Sequence, residues 1–224
     1  MFFKKYSDKI NNFRRRPGSF GMSFSYLMRL LIVLAFFKAF LDQKWIVVFL
    51  CSLALVLTFL PLLFKRKYNI LIPAEFELIF VLFIYTSIIL GEVHGYYTKI
   101  WWWDVLLHSF AGVTIGFIGF IIMYIFYFKN LLHTSAALIA VFSFCFALAL
   151  GAIWEIVEFT IDSSLGFNMQ KSGLVDTMWD LIVDALGALF TSIIGYVYVK
   201  FNKGFIINRL MANFVKKNPE LFKN

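Results

Sequence analysis

The chain has 224 residues, 61% of them hydrophobic and only 15% charged, with a formal net charge of +8. Soluble domains carry about 25% charged residues, so a water-soluble fold that hides this much apolar surface is excluded. Nor does the positive balance indicate nucleic-acid binding, because the basic residues sit between and outside the apolar runs, with no separate soluble domain to carry them.

Residues 1–23 form a basic arm in which Phe2, Phe3, Tyr6, Ile10 and Phe13 recur at helical spacing among lysines and arginines. That pattern suits an amphipathic segment lying on a membrane surface. A basic region followed by an apolar one also resembles a secretory signal. Arg29 and Lys38 interrupt the apolar run, however, and no small-x-small site follows, so cleavage is not expected.

A helix that crosses the bilayer needs about 20 mostly apolar residues, and six such runs follow within residues 24–201. The first spans Phe24 to Leu41, with Arg29 and Lys38 near opposite ends, where long basic side chains are expected to snorkel toward headgroups. The second, Trp45 to Phe64, carries no charge. The third starts after Pro73, has Glu75 and Glu77 in its opening turn, and is expected to end where Gly91 and Gly95 release the chain. The fourth runs from Asp104 to Phe128, the fifth from Ser135 to Ile161 and the sixth from Asp176 to Phe201. Cys51 and Cys145 both lie inside apolar runs, where cysteine acts as a small hydrophobe. Residues 202–224 form a second basic amphipathic segment, with Ile206, Leu210 and Phe214 interleaved with Arg209, Lys216 and Lys217. The expected fold is thus an all-α, polytopic bundle of about six transmembrane helices.

Loop charge orients it. The N-terminal arm, the second loop (Lys65, Arg66, Lys67), the fourth loop (Lys129) and the tail hold most of the lysines and arginines, whereas the opposite loops hold only Lys44, Lys99 and Lys171. The positive-inside rule then places both termini in the cytoplasm of a multi-pass protein of the inner or plasma membrane. Anionic lipid headgroups are the expected contacts of the two basic segments.

Ionisable residues inside spans are rare and mark function, since each costs about 2.5–3.5 kcal/mol at mid-membrane on insertion scales. Asp104 and His108, four residues apart, share a face that Gly112 continues. Glu155, Glu158 and Asp162 form one stripe on the fifth span, with Gly151 one turn deeper, and Asp176, Asp180 and Asp184 form another on the sixth. At a rise of 1.5 Å per residue, His108, Glu155, Glu158, Asp180 and Asp184 can meet in one layer near the non-cytoplasmic face. Glu92, His94, Asp104, Asp162 and Asp176 would form its rim. So many carboxylates require compensation by protons or by a cation. Several oxygens with one imidazole suit a divalent ion such as Mg²⁺, Mn²⁺ or Zn²⁺; a shared-proton relay and a purely structural polar network are the alternatives. Trp101, Trp102 and Trp103 read as an interfacial aromatic belt, and Trp154 and Trp179, each preceding an acid, as packing residues.

Three separated segments carry a resemblance. Trp103-Asp104 with His108 and Gly112, Trp154-Glu155 with Glu158, and Asp176-Thr177-Met178-Trp179-Asp180 with Leu186-Gly187-Ala188 resemble the DUF2238 family of bacterial inner-membrane proteins, itself loosely similar to VanZ-like proteins. The resemblance covers spans four to six; it implies a site but no reaction, and Asp184 is not a position it assigns to every member. CDP-alcohol phosphotransferases and UbiA-type prenyltransferases also use spaced aspartates. The former need an earlier Asp-x-x-Asp-Gly and an Ala-Arg pair that are absent here, and the latter two aspartate motifs and more spans.

Three functional classes follow. A metal-dependent membrane hydrolase or transferase would use the layer to activate water or to polarise a phosphoryl oxygen of a lipid-linked or phosphorylated substrate. A cation- or proton-coupled transporter would use it as a transient site, although no inverted repeat is visible. A scaffold or regulator would use it only to lock helices together.

Overall fold

The computed structural model describes residues 19–68, 70–129, 131–166, 168–201 and 205–222. Most of the expected N-terminal arm, residues 1–18, therefore lies outside the described residues. The chain runs through α1 (Ser19–Leu41), α2 (Trp45–Thr58), α3 (Leu60–Tyr68), α4 (Ala74–Ile84), a π-helix (Tyr85–Val93), α5 (Tyr96–Lys99), α6 (Trp103–Phe128), α7 (Ala136–Leu165), α8 (Leu174–Phe201), α9 (Phe205–Lys217) and a 3₁₀ turn (Pro219–Phe222). No strand occurs among the described residues.

Six helical stretches are long and apolar enough to cross a membrane: Ser23–Leu41, Trp45–Leu63, Ala74–Val93, Trp103–Phe128, Ala136–Ser164 and Leu174–Phe201. The second is broken between α2 and α3 at Phe59, two residues before Pro61, whose ring clashes with the carbonyl of the preceding turn and removes one donor. The third starts at Pro73, which has no N–H to lose there and whose carbonyl accepts from Phe76 and Glu77. Gly91, expected to release this helix, instead stays inside the π-helix, packed so tightly on the Tyr97 ring that a Cβ could not fit. Gly95, at φ +69°, makes the exit.

The chain divides into two compact units, residues 1–99 with 211–218 and residues 100–210 with 219–224, where the sequence suggests a single domain over residues 24–201. In the first unit Ile32, Cys51, Ala54, Ile84 and Ile89 form the core. Arg29 does not snorkel as expected. Its Nη2 donates to Glu77 Oε1 at 2.9 Å and to the Thr58 carbonyl at 2.8 Å, with the guanidinium over the Phe59 ring. A charge held in an apolar span is stabilised by such a partner set more than by reaching for a distant headgroup. Asn218 joins this unit's chain ends: its Oδ1 accepts from Leu71 N at 2.6 Å and its Nδ2 donates to Leu71 O at 2.8 Å. In α9 the buried line is Ile207, Met211 and Phe214. The apolar face of the tail therefore packs on protein, not wholly on lipid.

The second unit is the pairwise-packed trio α6, α7 and α8. Their outward faces carry large apolar side chains such as Ile118, Leu138, Ile156 and Phe190, as lipid contact requires. Lipid tails are as apolar as leucine, so helices in a membrane associate through close backbone approach and interhelical hydrogen bonds. Both devices occur here. At Gly187 a Cβ would lie 2.7 Å from Ser109 O and 2.9 Å from Val113 N; at Gly112 it would lie 2.5 Å from Asp184 O. The α6–α8 crossing thus tolerates no side chain at either position. Thr191 Oγ1 donates to Val113 O at 3.0 Å, and Ser143 Oγ to Gly116 O at 2.6 Å, each worth about 0.6 kcal/mol on average. α7 begins at Ser135, whose side chain caps Leu138 N, and ends at Gly166, at φ +70°.

Candidate functional site

The acid-bearing turns of α6, α7 and α8 meet at one end of the second unit, around the imidazole of His108. Both ring nitrogens face carboxylates. Nδ1 lies 3.4 Å from Asp184 Oδ2. Nε2 lies 3.8 Å from Asp104 Oδ1, 3.9 Å from Glu155 Oε1 and 4.0 Å from Asp180 Oδ2. His108, Glu155, Glu158, Asp180 and Asp184 are all buried, with Glu155 only 4% exposed. Atoms of Asp104, His108 and Asp180 lie within 4.8 Å of one another, compact enough to hold one ion.

Close helix packing makes this geometry. Gly112 and Gly187 bring the backbones of α6 and α8 together, which carries Asp184 to the Nδ1 edge of His108. The carboxylate of Asp184 also rests on Gly151 of α7, where any Cβ would overlap its Oδ2. Asp180, one turn along α8, then faces the opposite edge of the ring. The two aspartates therefore do different things. Asp184, in the tautomer with the proton on Nδ1, accepts that proton's hydrogen bond and orients the ring, while Asp180 stands where Nε2 points.

The distances at Nε2 carry chemical information. At 3.8–4.0 Å the three oxygens are too far for hydrogen bonds to the ring. Donor atoms about 2.0–2.2 Å from a common cation are separated from one another by no more than about 4.4 Å, and the residues that come near this are Asp104, His108 and Asp180, within 4.8 Å of one another. The Glu155 carboxylate is buried, with the Thr177 hydroxyl and the Gln170 amide as its hydrogen-bonding neighbours. A buried carboxylate is costly in a dry interior unless such neighbours satisfy it.

The remaining acids sit around this centre. Glu158 Oε1 accepts from Trp154 Nε1 at 2.8 Å. Trp154 and Trp179, 47% and 58% exposed, are thus outward-facing and not core-packing residues, and Trp154 also holds a buried acid. Asp162 accepts from Met169 N at 2.7 Å and Gln170 N at 2.8 Å. It fixes the loop between α7 and α8. Asp176 is half-buried in the first turn of α8, on the stripe of Asp180 and Asp184. Asp104, expected at the rim, stands in front of Nε2 with the deeper acids. Glu92 and His94 belong to the first unit, where His94 Nδ1 bonds to Ile89 O at 2.7 Å.

Lys171 and Gln170 were not anticipated as neighbours of the site. Lys171 Nζ lies 3.3 Å from Asp104 Oδ2, and Gln170 Nε2 donates to Thr177 Oγ1 at 2.7 Å and to Glu155 O at 3.4 Å. The available signal was the shortness of the loop that joins two acid-bearing helices, which keeps its side chains over their ends. Below Asp184 no buried ionisable residue continues the layer among the described residues. The buried polar residues deeper in this unit are Ser143, Thr191 and Ser192, and each hydroxyl donates to a backbone carbonyl.

A family described as "Predicted membrane protein (DUF2238)" matches residues 23–201. An uncharacterized protein of Thermotoga maritima is 32% identical over 134 residues, which cover 58% of this chain and 66% of that relative's length. No solved structure matches.

Proposed function

This chain belongs to the DUF2238 family of predicted membrane proteins, and we propose that it is a multi-pass, metal-dependent membrane hydrolase or transferase centred on His108. The carrying observation is the compact group of Asp104, His108 and Asp180, whose ligand atoms lie within 4.8 Å of one another. Those residues would hold a divalent ion, Mg²⁺, Mn²⁺ or Zn²⁺, through one imidazole nitrogen and carboxylate oxygens. Such an ion supplies Lewis-acid polarisation and a more acidic water.

The chain's own residues supply the rest. Asp184 orients the ring that Nε2 belongs to. Lys171 places a positive charge at the mouth, beside Asp104, where it would attract the anionic group of a phosphorylated substrate. Trp154 and Trp179, the exposed sequence neighbours of Glu155 and Asp180, present an apolar surface beside the layer. A lipid-linked substrate could approach from there. The balance of loop charges supports cytoplasmic termini, which would put the site on the non-cytoplasmic side.

An enzyme is favoured over a cation transporter by the interior beneath Asp184, where the buried hydroxyls are committed to backbone carbonyls and no buried ionisable group continues the path among the described residues. The test is metal content. Purified wild type should carry divalent metal that His108→Ala and Asp180→Asn lose while remaining folded, and should hydrolyse or transfer a lipid-linked phosphate in a metal-dependent way. Well-folded wild type that binds no Mg²⁺, Mn²⁺ or Zn²⁺ sinks the reading, and metal-dependent flux into proteoliposomes without turnover assigns the site to transport.

A further inference from the structure

We infer that the first unit holds a binding site for the phosphate group of a phospholipid, built from Arg29 and Ser25 of α1 beside the break in the second span. Pro61 has no N–H, and Leu62 N, which an unbroken helix would give to Thr58 O, turns to Phe59 O at 3.0 Å. A carbonyl released in an apolar span must find another donor. Arg29 Nη2 supplies it at 2.8 Å and also holds Glu77 Oε1 at 2.9 Å, while Nε reaches Thr58 Oγ1 at 3.4 Å. These contacts use Nε and Nη2 and leave the N–H groups of Nη1 without a hydrogen bond among the described residues. Nor is Arg29 sealed in: its side chain is 13% exposed, and Tyr26, Leu30 and Phe59 around it face outward.

Ser25 is the second, independent observation. It lies one turn before Arg29 on the same face of α1, is 1% exposed, and its Oγ has no hydrogen-bond partner. Hydroxyls in helices commonly satisfy themselves on the carbonyl four residues back, as Ser52, Thr86, Ser109, Thr160 and Ser192 all do here. Ser25, though buried, does not. Helical side chains lean toward the N-terminus, so Arg29 leans over the turn that carries Ser25; its guanidinium lies 5.7 Å from the Tyr26 ring in that turn. Unused guanidinium donors and an unsatisfied hydroxyl are thus neighbours.

The chemistry of these groups selects the ligand. A guanidinium only donates and a serine hydroxyl can donate as well, so the partner presents acceptor oxygens close together, as a phosphate does. Glu77 already balances Arg29, which disfavours a multiply charged anion; Arg66 and Lys67, exposed later in α3, suit the single charge of a phosphodiester. Ser25 lies two residues inside the span that begins at Ser23, about 3 Å along the helix axis and so near headgroup level. Acyl chains attached to a phosphate there would lie on the outward faces of Tyr26, Leu30 and Phe59.

The test is to delipidate the full-length protein in detergent and titrate it with dioleoyl phosphatidylglycerol, with dioleoylglycerol and with inorganic phosphate, reading native mass spectra and Tm. Phosphatidylglycerol should bind and raise Tm, and dioleoylglycerol, which lacks the phosphate, should do neither. Ser25→Ala should weaken phosphatidylglycerol binding about 10-fold or more, the usual loss for a hydrogen bond to a charged group. It should not lower the Tm of the lipid-free protein, because the hydroxyl has no partner there to lose. Arg29→Lys, which keeps the charge and loses the planar fork, should also weaken binding. Equal phosphatidylglycerol affinity in wild type and Ser25→Ala, or equal binding of dioleoylglycerol, overturns the site. Inorganic phosphate that gives the full stabilisation by itself overturns the lipid as its source.

Discussion

The Asp184 carboxylate lies against Gly151, in space that any side chain at position 151 would occupy. Because the obstructing atom is the end of a side chain and not backbone, Gly151→Ala should be accommodated by turning Asp184 aside. The fold survives, but His108 loses the partner of its Nδ1. Loss of such a supporting contact typically weakens metal affinity about 10- to 100-fold. Isothermal titration with Mn²⁺ should give this loss in Gly151→Ala and a similar one in Asp184→Asn; unchanged affinity in both would remove Asp184 from the support of the ring.

Gly112 meets a different obstacle. A Cβ there would lie 2.5 Å from the backbone oxygen of Asp184, and a backbone cannot turn aside without moving α8. Gly112→Ala should therefore destabilise the fold itself by about 1–3 kcal/mol, the range for overpacking in a close-packed interior. Thermal unfolding in detergent, with and without Mn²⁺, is the measurement. Gly112→Ala should be less stable than wild type in both, whereas Gly151→Ala should fall behind mainly when metal is present.

Metal affinity should also depend on pH. Imidazole and carboxylates bind metal only when deprotonated, so binding releases protons and strengthens as pH rises. The increase in Tm on adding Mn²⁺ should be larger at about pH 8 than at about pH 5.5. A stabilisation that does not change over this range would mean that Mn²⁺ acts elsewhere.

In the first unit, the Arg29–Glu77 contact at 2.9 Å makes a separable prediction. A double-mutant cycle with Arg29→Met and Glu77→Gln should give a coupling of about 0.5–3 kcal/mol, as for contacting pairs generally, without altering bound metal. Additive effects would mean that Arg29 is stabilised mainly by the Thr58 carbonyl and the Phe59 ring.

The spans were legible because hydropathy works at the scale of a whole helix: the boundaries of the second, fourth and sixth apolar runs fall within two residues of those in the structure. The layer of acids was legible because residues three and four apart share a helix face. Less was legible where two elements had to be known together. Arg29 looked like a snorkelling residue because its partner, Glu77, lies on another helix. Asp104 looked like rim because it opens its span, yet the helix phase turns its carboxylate to His108 Nε2. Lys171 counted only as loop charge until the loop was seen to place it beside Asp104.

The sequence by itself determined that this is a multi-pass helical membrane protein with its ionisable residues gathered on three stripes, since period and hydropathy are properties of each segment alone. Only the tertiary structure decided which acid meets which nitrogen of His108. That choice depends on how α6, α7 and α8 are rotated about their axes, and the rotation is set by backbone approach at Gly112, Gly151 and Gly187. Asp184 thereby came to lie at Nδ1 of the ring, while Asp104, Glu155 and Asp180 came to face Nε2.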